Sequence, residues 1–141
     1  MDFKELSKLN KMFSRKFFPA FADTDALGHI NNTTYPYWFE NSRSDLFEIF
    51  TPGLDPKNWR LILARMEIDF IAQGDFGKTV EIQTSIEKIG NSSFTILQLA
   101  IQDKKEIARG KCIMVQFDYK IQKAIPLNEF QRGELAKHYL A

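Results

Sequence analysis

The chain is poor in the residues that build cross-links and metal sites. It has one cysteine, Cys112, and two histidines, His29 and His138, among 141 residues. A lone thiol cannot close a disulfide within the chain, and zinc-ligand spacing has nothing to form from, so no metal is expected. An excess of charge is missing too: 19 basic against 18 acidic residues leave a formal net charge of +1. No global field would gather nucleic acid or an anionic membrane surface. No apolar run approaches the ~18 residues of a membrane-spanning helix. The opening stretch, MDFKELSKLNKMFSRKFF, lacks an apolar h-region and a small-residue cleavage site, which makes the cytoplasm the default compartment. Internal repeats and low-complexity linkers are absent as well.

What the chain does have is apolar mass. Apolar residues make up 44% of it, and 13 of them are phenylalanine. At this length one domain over residues 1–141 with a sizeable core is expected. The phenylalanines suit a large core or an apolar ligand channel equally well. Cys112, in a strand beside small residues, reads as a buried hydrophobe rather than a nucleophile.

Periodicity orders the elements. A short helix is predicted over Lys4–Met12 and a strand over Arg15–Ala22, with Pro19 marking an edge or a bulge. Between Asn32 and Phe50 the apolar positions Tyr35, Trp38, Phe39, Leu46, Ile49 and Phe50 keep one face of a helix. Pro36 fits if the first turn starts near Thr33 or Thr34, and Thr51-Pro52-Gly53 ends the helix. Ile62, Ala64, Met66, Ile68, Phe70 and Ala72 alternate with polar or outward positions, which predicts a strand with one buried face. After the turn at Gly74-Asp75-Phe76-Gly77, strands follow over Thr79–Ile86, Phe94–Ile101 and Ile107–Tyr119, joined at Gly90-Asn91 and Asp103-Lys104-Lys105. The strand from Phe94 is apolar on both faces and should be central. Ala108, Gly110 and Cys112 leave room for close packing on one face of the last strand. A C-terminal helix is predicted from Asn128 to Tyr139.

The order is a strand, a long helix, then four consecutive hairpin-linked strands, and the short connections make an antiparallel sheet of about five strands against one long central helix, an α+β layout. The open sheet edge and the poorly covered helix flank call for a second copy, as a homodimer or homotetramer.

The densest chemistry lies between Asp23 and Arg43, DTDALGHINNTTYPYWFENSR. Two carboxylates, a glycine, a histidine and two asparagines lead directly into the helix. A helix start offers unpaired N–H groups and a partial positive charge. A carboxylate placed before such donors can attack a carbonyl, or activate water against it, while they hold its oxygen. Acyl transfer is the chemistry this suggests.

The run D-T-D-A-L-G-H-I-N-N-T-T-Y (Asp23 to Tyr35), followed by W-F-E-N-S-R, resembles the hot-dog-fold acyl thioesterases. The resemblance is to the branch that includes 4-hydroxybenzoyl-CoA thioesterase and the plant acyl-ACP thioesterases, and it covers about Arg15 to Pro126. It implies a hot-dog fold and hydrolysis of an acyl-CoA or acyl-ACP thioester, with the coenzyme A or carrier arm bound as substrate and no retained cofactor. The family's catalytic aspartate falls on Asp25, and its carbonyl-polarising backbone N–H on or next to Asn32. The plant enzymes' histidine four residues after the aspartate matches His29, whereas their asparagine two residues after it is Leu27 here.

Asp25 is thus the candidate nucleophile or general base, His29 a candidate donor or orienter, and the Asn32 N–H a candidate oxyanion donor. Gly28, Asn31, Tyr35, Ser92 and Ser93 are candidates for substrate binding, the two serines because the resemblance sets their turn near the acyl or pantetheine path. Asp23 reads as a turn-forming acid. Glu40, three residues before Arg43, reads as half of an ion pair and is the reserve catalytic acid. Two rival activities stand beside hydrolysis: hydration or dehydration of an acyl thioester, and acyl-CoA binding without catalysis.

Overall fold

The computed structural model describes residues 11–140. The helix expected over Lys4–Met12 lies almost wholly outside them. Strand β1 (Phe13–Phe17) is followed by a one-turn 3-10 segment at Phe21–Asp23. Two helical segments come next, α1 (Thr34–Ser42) and α2 (Ser44–Phe50). The sheet continues with β2 (Leu61–Phe70), β3 (Val80–Ile89), β4 (Ser93–Gln102), β5 (Lys105–Asp118) and the two-residue β6 (Lys123–Ala124). Helix α3 (Glu129–Ala136) closes the chain.

All pairings between strands are antiparallel, in the order β1-β3-β4-β5-β2, with β6 on the end of β5, so β2, expected as the first of four hairpin-linked strands, crosses the sheet to pair with β5 and not with β3. Strand β4 is central, as its two apolar faces predict. The helical segments lie against the sheet through two apolar clusters. One gathers Leu46, Phe50, Ile86, Phe94, Ile96, Met114 and Leu135; the other gathers Tyr35, Trp38, Phe39, Val80, Ile82, Ala100 and Ala108. The small-residue face of β5 receives α1. A Cβ on Gly110 would stand 2.7 Å from the Phe39 ring, so glycine lets helix and sheet touch.

The structure corrects three further expectations. The long helix is interrupted at Arg43, where side chains compete for its carbonyls. Asn41 Nδ2 donates to Tyr37 O at 2.8 Å, and Ser44 Oγ donates to Asn41 O at 2.8 Å. Arg43 then turns inward, 3% exposed, and its Nη1 donates to Gln98 Oε1 at 3.3 Å. Glu40 stays exposed, so the expected Glu40–Arg43 ion pair does not form.

The third correction is in β2. Leu63 faces Met114 but Arg65 faces Ile113, so Ala64 is an extra residue, a β-bulge. The bulge reverses the alternation. Leu61 and Leu63 share the helix-facing side with Met66, Ile68 and Phe70, while Ile62 does not. Only Leu61 of this strand is fully buried, and Ile62, Leu63, Met66, Phe70 and the following Ile71 are 39–56% exposed.

Candidate active site

The loop before α1 is built around Asp25. Its Oδ1 accepts the backbone N–H of Leu27 at 2.8 Å and of His29 at 3.1 Å, and its own N–H donates to His29 O at 2.8 Å. Oδ2 has no hydrogen-bond partner among the described residues. One carboxylate oxygen therefore fixes the loop while the other is left to face solvent. Gly28 makes the turn possible: its φ of 80° is left-handed, which a side chain would strain.

Around Asp25 the chain is pinned at both ends. Asp23 Oδ2 accepts the N–H of Ala20 at 2.8 Å, and Asp23 O accepts Asn31 N–H at 2.8 Å and Thr34 Oγ1 at 3.0 Å. Asn31 Oδ1 takes both the N–H and the hydroxyl of Thr33 at 2.9 Å, capping the entry to α1. The Asn32 N–H, between these two capped positions, donates to no acceptor among the described residues.

The loop also docks on the turn after β2. Ile30 N–H donates to Gly74 O at 2.9 Å, Phe76 N–H to Gly28 O at 3.3 Å, and His29 forms a bridge with Asp75. Gly74 is 2.6 Å, measured from an added Cβ, from Ile30 Cδ1 and 2.7 Å from the Tyr35 hydroxyl, so only glycine allows this approach. The turn itself is held by Gln102, which is 5% exposed. Gln102 Oε1 accepts Asp75 N–H at 2.8 Å, and its Nε2 donates to Asp75 O at 2.9 Å and Lys78 O at 3.0 Å. Gln102 and Gly74 are positioning residues that pattern reading did not single out. A glutamine ending the central strand, just before the Asp103-Lys104 turn, was the available signal.

These contacts frame a cleft of about 450 Å³. Asp25, Asn32 and Tyr35 line it on one side, and Phe70, Ile71 and Gly74 on the other. Tyr35 is 3% exposed, with its ring edge-on to Phe70 at 5.7 Å. Burial first, then the nearby Asp75 carboxylate, pushes its hydroxyl pKa up to about 12. It is thus a neutral hydroxyl at any working pH.

Three of the candidate residues share the cleft, and Gly28 and Asn31 shape its loop. His29 contributes backbone contacts, and its ring is not part of the lining. Glu40 is exposed on α1, six residues beyond Thr34 and so ~9 Å along the helix at ~1.5 Å per residue. Ser92 and Ser93 lie elsewhere within this chain. Ser93 pairs with Val115 and Phe70 with Ala108. Seven residues of β5 separate the two places, ~23 Å at ~3.3 Å per residue.

The comparisons agree with this geometry. Residues 19–135 match the family model of the thioesterase-like superfamily. The chain belongs to that family. The chain is 39% identical to a predicted thioesterase from Bacillus stearothermophilus of known structure, with 91% of this chain and 96% of that one covered at a TM-score of 0.88. A Thermus thermophilus thioesterase solved with coenzyme A and zinc shares the fold at 24% identity, covering 86% and 95% with a TM-score of 0.77. YsmA of Bacillus subtilis, an uncharacterized protein, is 26% identical over 136 residues, 96% of this chain and 92% of its own length. The sheet wrapped on a central helical layer is therefore the hot-dog fold of the thioesterase-like superfamily. Among the described residues, no three His, Cys, Asp or Glu side chains are grouped to hold a metal ion, and no helix is long and apolar enough to cross a membrane.

Proposed function

We propose that the protein hydrolyses an acyl-coenzyme A thioester to the free acid and the thiol. The observation that carries this reading is the shared cleft: a carboxylate with one oxygen unengaged and an Asn32 N–H without a partner among the described residues line the same space, beside Phe70 and Ile71. Asp25 Oδ2 attacks the thioester carbonyl, or draws a proton from a water that does. The Asn32 N–H, at the positive end of α1, stabilises the oxygen as it gains charge. Collapse of the tetrahedral species breaks the C–S bond and the thiolate leaves. On the general-base route the attacking water becomes the hydroxyl of the acid. On the nucleophilic route a mixed anhydride on Asp25 is left, and water hydrolyses it to the acid and restores the carboxylate. In both, the second proton of that water goes to the thiolate. This chemistry draws on no metal or organic cofactor. Phe70 and Ile71 offer the acyl group an apolar wall, and the coenzyme A complex of the Thermus thermophilus relative supports coenzyme A as the thiol.

The working form is a homodimer joined along β2. That strand is a sheet edge whose backbone is open and whose apolar side chains are exposed. It is also self-complementary. Arg65 and Glu67 flank Met66, 3.5 Å apart within the chain. Antiparallel pairing of two copies about Met66 sets each Arg65 opposite the partner's Glu67.

Thiol release from a panel of acyl-CoAs, short to long and aromatic, tests the activity with wild type and Asp25→Asn. The variant keeps Oδ1 as an acceptor for Leu27 and His29, so it should stay folded while turnover drops on the order of 10²–10⁴-fold. Binding of acyl-CoA by wild type with no thiol released would remove the hydrolase reading.

A further inference from the structure

The Asp25 cleft holds one buried polar group that the chain itself does not use. Tyr35 is 3% exposed, yet its hydroxyl makes no hydrogen bond among the described residues, whereas the Tyr119 hydroxyl donates to Leu61 O at 2.9 Å. Nor is it sealed in. The polar side-chain atoms shut away without a partner among the described residues are Ser42 Oγ, Arg43 Nε and Gln83 Oε1, and the Tyr35 hydroxyl is not one of them. It opens on the cleft that Tyr35 lines with Asp25, Asn32 and Phe70. Packing fixes its place. The ring stands edge-on to Trp38 at 5.8 Å and to Phe70 at 5.7 Å. The hydroxyl lies 2.7 Å from the point where a Gly74 Cβ would stand, and the Cδ1 atoms of the buried Ile30 and Ile107 lie 2.6 and 3.1 Å from that same point. A lone donor thus sits among apolar side chains, while Asp25 and Asn32 are exposed. With its pKa pushed up to about 12 by burial and then by the Asp75 carboxylate, it is no proton source for a thiolate, whose thiol titrates near ~8.5. What it can do is donate a hydrogen bond.

Asn32 and Tyr35 are three residues apart where α1 begins, and helical side chains lean toward the N-terminal end. Tyr35 therefore leans back toward the Asn32 N–H. A thioester whose carbonyl oxygen is held at that N–H carries its next carbons past the Tyr35 hydroxyl. A plain alkyl chain would displace water from this donor and bring no acceptor in its place, which penalises binding. An oxygen on the chain would restore the hydrogen bond. We propose that Tyr35 is a specificity-determining residue and that the acyl group it selects carries an oxygen acceptor near the thioester, as a 3-oxoacyl or 3-hydroxyacyl chain does. The side-chain amides of Asn32 and Gln73, unengaged among the described residues, line the same cleft and suit an oxygenated group better than a bare hydrocarbon. The proposal rests on the thioesterase reading and narrows its substrate.

Acetoacetyl-CoA and butyryl-CoA share a carbon chain and differ at one oxygen, so the pair tests it. Calorimetric titration of Asp25→Asn protein reads binding without turnover. Acetoacetyl-CoA should bind about tenfold more tightly than butyryl-CoA, the scale of one hydrogen bond to a donor otherwise left unpaired. Adding Tyr35→Phe, which keeps the ring and its place beside Phe70, should bring the two affinities together. With Asp25 intact, Tyr35→Phe should lower the acetoacetyl-to-butyryl ratio of kcat/KM about tenfold. The greater intrinsic reactivity of the 3-oxo thioester cancels in that comparison. Equal binding of both thioesters to Asp25→Asn protein, or a preference that survives Tyr35→Phe, would overturn the assignment even if the enzyme proves an active thioesterase. A preference that vanishes with Tyr35→Phe supports it even if no thiol is released, so hydrolysis and oxygen recognition stand or fall separately.

Discussion

One oxygen of Asp25 holds its loop while the other is unengaged, and that placement depends on residues around the loop. Gly74 is the sharpest case. Ile30 and the Tyr35 hydroxyl already fill the space where its side chain would go. Gly74→Ala should cost about 1–3 kcal/mol, the usual penalty of overpacking, and misplace the Asp25 loop along with it. Urea unfolding should show the loss, and activity should fall further than the change in folded fraction accounts for. Tyr35 gives a pH signature. Its pKa is raised to about 12 in the fold from 10.0, so the unfolded chain releases this proton first. The stabilisation is complete below about pH 10 and is lost as pH rises through about 12. Thermal unfolding followed from pH 9 to 12 should therefore fall more steeply for wild type than for Tyr35→Phe, which has no proton to lose. Parallel curves would mean that the hydroxyl is not shielded as the structure has it.

At the scale of elements, the turn after β2 and the loop before α1 act as one unit because Gln102 reaches out of β4 to hold the first of them. Gln102→Leu removes three hydrogen bonds and leaves backbone groups of Asp75 and Lys78 to find new partners. We expect a loss of about 2–4 kcal/mol. Amide exchange should quicken at Asp75 and Ile30 while β5 stays protected; unchanged exchange there would show that the loops hold each other without it. This clamp also marks what can be read from sequence. The strands themselves, the central place of β4 and the small face of β5 were legible because period-two patterns and turn residues are local signals; the pairing of β2 with β5 instead of with β3 across the Gly74 turn was not, because it is long-range. The loop around Asp25 could be singled out because its polar residues and Gly28 are contiguous in the chain. The bulge at Ala64 was not, since an inserted residue among Ile62, Leu63 and Met66 still looks apolar on either face. The break at Arg43 was hidden because Asn41 and Ser44 compete for helix carbonyls only once the helix exists. Arg43 itself left Glu40 for Gln98, a residue 55 positions away that no helix spacing predicts.

At the scale of the whole molecule, the exposed face of β2 is what the proposed homodimer rests on. Leu63, Met66 and Phe70 face the helical layer yet remain 39–56% exposed, because the chain runs out of helix to cover them. In the proposed homodimer a second sheet edge would cover them. Charge at the centre of β2 gives a test that leaves this apolar surface intact. Pairing about Met66 places Arg65 of one copy against Glu67 of the other, twice over by symmetry. Glu67→Arg turns both contacts into like-charge pairs, and Arg65→Glu does the same with opposite sign. Either variant alone should weaken the dimer, with sedimentation shifting toward monomer at low micromolar protein. Each should also lose thioesterase activity in step with the monomer fraction. The double variant, Arg65→Glu with Glu67→Arg, restores opposite charges across the axis and should recover both. Cross-strand pairs of this kind contribute about 0.2–1 kcal/mol each, so the effect should be largest at low salt and fade as salt screens it. Recovery in the double variant separates pairing across the axis from a general effect of charge on the edge, because the two proteins carry the same residues in exchanged places.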